Sequence, residues 1–159
     1  TDVCSDPGTP ESIKRTALIW LGRIHFDAEE YDEALNCFES TVKFGGNAGA
    51  ESQFMISKIK YNLGDYESAE SNIFTLVSDF SSYDEWKFKG FLLLVRTYIG
   101  LNDLFQARAT AESIMENVNV EWVQNACSDL MMEIEAMEGS ELNGTDLIET
   151  GTQNEVNDK

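Results

Sequence analysis

Apolar side chains in the middle of the chain recur three and four residues apart, in blocks broken by short polar or glycine-containing stretches. This spacing lines one face of an α-helix. The blocks also repeat. The stretch from Trp20 to Ala34 aligns with Met55 to Ala69 and with Leu93 to Ala107. Ala34, Ala69 and Ala107 therefore share one position, spaced near the period of about 34 residues typical of stacked helix-turn-helix units. Each unit reads as two amphipathic helices joined by a tight turn. The pattern predicts first helices over Pro10 to Asp27, Ala48 to Asn62 and Asp84 to Leu101. It predicts second helices over Tyr31 to Phe44, Tyr66 to Phe80 and Leu104 to Asn117.

Local punctuation fits these limits. Thr9 is placed to cap the first helix with Pro10 at its opening position, Gly45 and Gly46 can end a helix, and Gly64-Asp65 supplies the middle turn. Each key alanine follows Tyr31, Tyr66 or Leu104 by three residues, so a small side chain allows close helix approach while the bulky one fills the crevice. A last apolar stripe of Val123, Ala126, Cys127, Leu130, Met131, Ile134 and Met137 predicts one unpaired helix closing the stack. The expected organisation is a flexible segment over residues 1–9, a helical-repeat domain over 10–138 with its capping helix at 120–138, and a disordered acidic tail over 139–159. Asn143-Gly-Thr145 has the form of a glycosylation acceptor, a triplet frequent by chance.

Charge narrows the partners. With a formal net charge of −18, the chain has too few Lys and Arg to displace the counterions of nucleic acid or an anionic membrane, and no apolar run is long enough to span a bilayer. Cys4, Cys37 and Cys127 are odd in number and far apart, which fits neither a disulfide framework nor a zinc site. The sequence opens on Thr1 without a basic-plus-apolar leader, so the expectation is a processed form or a piece of a longer protein.

The repeated residues resemble the tetratricopeptide repeat family. In the first unit the resemblance rests on Leu18, Leu21, Gly22, Tyr31, Ala34 and Phe38, with His25 replacing a tyrosine. In the second it rests on Ile56, Ser57, Gly64, Asp65, Tyr66 and Ala69, and in the third on Leu94, Tyr98, Asp103 and Ala107. Lys60 in place of a tyrosine and the lack of a helix-ending proline depart from the family pattern. The resemblance covers Ala17 to Asn117. It implies an all-α, right-handed α-α superhelix of about three helix pairs plus a C-terminal capping helix, with the first helices lining a concave groove. Asn62-Leu-Gly-Asp-Tyr66 and Phe105-Gln-Ala-Arg-Ala109 also look like the last units of longer bacterial envelope proteins, which leaves the envelope, periplasm or cytoplasm as compartments.

Candidate chemistry is sparse. His25 is the sole histidine and sits at a packing position, and no phosphate loop, nucleophile elbow or metal-ligand spacing occurs. The expectation is therefore a non-enzyme without cofactor or metal. More informative is a stripe shared by the first helices. Arg23, Lys58 and Arg96 occupy one register position, flanked by Ile19, Phe54 and Leu92 on one side and Phe26, Tyr61 and Ile99 on the other. Under the family resemblance this stripe lines the groove floor and binds a protein or peptide bearing carboxylates. The bland reading is that these cations pair with acids such as Glu51 or Glu29. Lys89 resembles one lysine of a carboxylate clamp, with Leu93 where a companion arginine would stand. Self-association through the acidic tail uses the same residues. The alternative to a peptide-binding scaffold is a structural role in an envelope assembly or oligomer formed by end-to-end stacking of repeats.

Overall fold

The computed structural model describes residues 8–151, with side chains through residue 140. Seven helices follow in order: α1 (Glu11–Asp27), α2 (Tyr31–Val42), α3 (Gly46–Asn62), α4 (Tyr66–Asp79), α5 (Asp84–Gly100), α6 (Leu104–Asn117) and α7 (Glu121–Gly151). No strand occurs among the described residues. The all-α expectation is met, and the helix pairs fall where the repeat register places them.

Several boundaries differ from the sequence pattern. Pro10 itself is the N-cap of α1, without a side-chain cap. α2 stops at Val42 because the chain tightens, with Phe44 N–H donating to Thr41 O and Gly45 N–H to Val42 O, before Gly45 and Gly46 take positive φ of 64° and 62°. The largest difference from the sequence pattern is at the C-terminal end. The capping helix does not stop near residue 138 but runs on to Gly151, into the stretch expected to be tail. Extending a formed helix adds a hydrogen bond for each residue ordered and needs no new nucleus. The rest of that tail, 152–159, and the expected flexible segment up to residue 7 lie outside the described residues.

The turns within the three units are built alike. Each first helix ends in a Schellman motif. Glu30 N–H reaches His25 O, Asp65 N–H reaches Lys60 O and Asp103 N–H reaches Tyr98 O, at 2.8, 3.0 and 2.9 Å. The residue before each donor is left-handed: Glu29 (φ 60°), Gly64 (φ 74°) and Asn102 (φ 58°). Asp65 and Asp103 then cap the second helices, accepting from Ser68 N–H and Gln106 N–H at 3.3 and 3.0 Å. Three sequences that differ at most positions thus produce one turn geometry.

Packing follows the same register. Ala34, Ala69 and Ala107 have no solvent exposure, and the positions four and seven residues on are buried too: Phe38 and Thr41, Ile73 and Leu76, Ala111 and Ile114. Burial of side chains the size of Ile73 or Leu76 stabilises the fold by about 1.5–3 kcal/mol each. Every helix packs on the next in the chain, and α1, α3, α5 and α7 also touch in succession, whereas α2, α4 and α6 do not touch one another. The odd-numbered helices therefore form a continuous layer, and the even-numbered ones are wedged apart on the other side.

α7 closes this arrangement. Val123, Cys127, Leu130 and Ile134 bury one stripe against Ala107, Ala111, Ile114 and Val118. Gln124 donates to the Met115 and Val118 carbonyls at the end of α6. Arg108 grips Glu138 with two nitrogens, with Glu112 and Glu135 close by. This pairing holds the Glu138 carboxyl below the usual carboxylate range.

Candidate functional site

The odd-numbered layer carries the cations expected to line a groove, and it separates them into two kinds. Arg23 on α1 is spent on α3: its Nε donates to Glu51 Oε1 at 2.7 Å and its Nη2 pairs with the same oxygen. Glu51 is almost wholly buried, so this arginine is the counter-ion of an inward carboxylate. Arg23 is thus the member of the basic register that has a carboxylate partner among the described residues.

One unit further along, the same step between neighbouring helices is built differently. The register position of Glu51 on α3 is taken on α5 by Lys89, and that of Arg23 is taken on α3 by Lys58. Where the first step has an arginine and a carboxylate, the second has two ammonium groups. Lys58 and Lys89 line a cavity of about 360 Å³ between α3 and α5, together with Phe54, Tyr61, Asn62, Leu92, Leu93 and Arg96. Six of the expected groove residues thus meet in one place: Phe54, Lys58, Tyr61, Lys89, Leu92 and Arg96.

The electrostatics of this cavity are positive in an acidic chain. Lys89 is held by Glu85 at 2.7 Å and stands over the Trp86 ring at 4.2 Å from its centroid. Lys58 stands 5.2 Å from the Phe26 ring centroid, a cation–π contact that leaves its charge uncompensated. Arg96 is solvent-exposed. Among the described residues neither Lys58 nor Arg96 has a carboxylate partner. Aromatic surface flanks them, with Phe54 and Trp86 packed at 5.8 Å between centroids and Tyr61 against Tyr66 at 5.5 Å. The arrangement can hold an anionic group on two or three donors while an apolar side chain lies on Phe54 or Tyr61.

The remaining expected residues lie elsewhere. Phe26 touches the site only through Lys58. Ile19 lines a separate recess with Arg15, Asn47 and Glu51, and Ile99 packs onto the core beneath α7. Trp86 is the residue that sequence reasoning missed. It supports two lining residues, packing on Phe54 and lying under the Lys89 ammonium, its indole N–H donates to Asn47 Oδ1 at 3.0 Å, and its position three residues before Lys89 on one helix was the available clue. His25 does not face the cavity residues, its Nδ1 lying 2.6 Å from Glu30 Oε2 at the first turn.

Other chemistry is confined. Among the described residues no three His, Cys, Asp or Glu are grouped to hold a metal ion, and no helix is long and apolar enough to cross a membrane. Tyr98 donates to Glu70 Oε1 at 2.7 Å, and burial with that carboxylate pushes its phenol up to about 12. The fold and site together define an all-α, helical repeat-like protein with a basic, aromatic cleft. No protein-family model matches the chain, and no curated protein matches it.

Proposed function

We propose that the chain is a non-catalytic binding module of the tetratricopeptide type, its helix pairs winding as a right-handed superhelix, and that the cleft between α3 and α5 receives an acidic segment of another protein. One observation carries this reading. Among the described residues Lys58 and Arg96 stay without carboxylate partners, in a chain with 29 acidic and 11 basic residues, although Arg23 at the same register position is neutralised. Positive charge without a carboxylate partner beside half-buried aromatic surface is matched to an anionic, partly apolar ligand.

The test uses two labelled extended peptides, one alternating Glu with Leu and the other alternating Gln with Leu, in fluorescence anisotropy against the full chain. The acidic peptide is expected to bind and the neutral one to bind at least about tenfold more weakly. Lys58→Glu with Arg96→Glu should abolish the difference, and Arg15→Glu, remote on α1, should preserve it. Equal binding of both peptides would refute the reading.

A structural role through end-to-end stacking is the second reading. Ile13 and Trp20, 51% and 58% exposed on the first helix, are the observation in its favour.

A further inference from the structure

Trp20, Leu21 and Ile24 on α1 occupy the register positions of Met55, Ile56 and Ile59 on α3 and of Leu93, Leu94 and Thr97 on α5. In the second and third units these positions are covered by the outer helix of the unit before. Leu35, Phe38 and Val42 of α2 belong to one apolar cluster with Met55, Ile56 and Ile59, and Ile73 and Val77 of α4 to one with Leu93 and Leu94. Ile56 is 7% exposed and Ile59 0%, and Leu93 and Leu94 are 7% each. On α1 the same three positions are 58%, 39% and 60% exposed, and Ile13 and Ala17 continue the stripe at helical spacing. Among the described elements only α2 and α3 pack on α1. A surface built like two buried interfaces is open to solvent, and contiguous apolar patches of this kind mark interaction sites.

We infer that this face of α1 is a docking site for an amphipathic helix of a partner polypeptide, of the same design as α2 and α4, with bulky apolar side chains four residues apart as in Phe38 and Val42 or Ile73 and Val77. The interface is the continuation of the α2–α3 and α4–α5 contacts by one more step. The α2, α4 and α6 faces of a second copy are not the occupant. Its α2 and α4 already spend the corresponding surface on α3 and α5, and its α6 is covered by α7. The inference rests on the stacking reading and is independent of the basic cleft.

The experiment titrates the full chain into a labelled peptide with the sequence of Tyr66–Asp79, held helical by a lactam bridge on its polar face and checked for helicity by circular dichroism. A matched peptide carries Ile73→Glu and Val77→Glu. The first peptide is expected to bind, the second at least about tenfold more weakly. Trp20→Glu and, separately, Ile24→Glu should each weaken binding by a similar factor with unchanged helical content and melting temperature, since both side chains are exposed. The Lys58→Glu, Arg96→Glu variant should bind the peptide normally. No binding of the helical peptide, or binding unaffected by Trp20→Glu and Ile24→Glu, overturns the inference. Concentration-dependent self-association that is lost in Trp20→Glu and not competed by the peptide also overturns it, while leaving the stacking reading standing with a second copy as occupant.

Discussion

Gly22 shows how tightly individual positions are constrained. A Cβ built there falls 2.8 Å from Cε1 of Phe38, a ring with no solvent exposure and no room to withdraw. Gly22→Ala gains helix propensity of about 1 kcal/mol, but overpacking of this kind costs about 1–3 kcal/mol, and Gly22→Val adds bulk and loses part of the propensity gain. Urea denaturation should therefore show Gly22→Val clearly less stable than Gly22→Ala, and the latter no more stable than the parent. Tyr98 makes a prediction about pH. Its phenol is neutral when protonated, and the folded state holds that proton more tightly than the unfolded chain does. Its contribution to stability is thus complete below the ordinary tyrosine value near 10 and is lost as pH rises towards about 12. Denaturation curves across that window should flatten in Tyr98→Phe, which has no phenol to ionise. An unchanged alkaline slope would show that ionisation of the half-buried Tyr98 phenol does not limit stability there.

Among the helices, the second ones start with unequal help. Asp65 and Asp103 cap α4 and α6, whereas Glu30 at the start of α2 makes no cap and instead faces His25. Asp65→Ala should cost about 1 kcal/mol, as an N-cap carboxylate usually does, and Asp65→Asn should recover most of it, read from the urea midpoint. α7 depends on its apolar stripe far more than on Arg108. The ion pairs of Arg108 lie at the surface, where such pairs contribute little, while Leu130 and Ile134 are buried against α6. The long helix persists past Gly139 because its first turns are already anchored.

For the assembled stack, the decisive quantity is which charges remain free after the helices meet. Affinity for an acidic peptide should fall steeply with added salt, since Arg96 is exposed and Lys58 half-buried and their attraction is screened over about 10 Å at 0.1 M ionic strength. Arg23→Gln should behave differently from the cleft variants. It strands the buried Glu51 carboxylate, for which a cost of about 1–3 kcal/mol is usual, and it should lower the melting temperature while peptide affinity at low temperature stays within about twofold. A loss of affinity in Arg23→Gln equal to that in Arg96→Glu would mean that the ladder of three cations acts as one surface.

The helix pairs, the middle turn at Gly64-Asp65 and the register of Ala34, Ala69 and Ala107 were legible in the chain because they depend on local chemistry: a period near four, a glycine before an acidic cap, a small side chain three residues after a bulky one. The basic register of Arg23, Lys58 and Arg96 was legible for the same reason. Which of them would pair was not, although Glu51 was already in view as one acid within reach. Arg23 meets Glu51, and Lys58 comes to share a cavity with Lys89, across gaps of chain that no periodicity spans. Trp86 packs on Phe54, one of the lining residues, and Trp20 stays exposed because no described helix covers α1 where α2 covers α3. Spacing along a helix assigns a side chain to a face. Whether that face finds a carboxylate, another cation, an aromatic ring or water depends on which helix lies beside it, and that is settled only when the units pack.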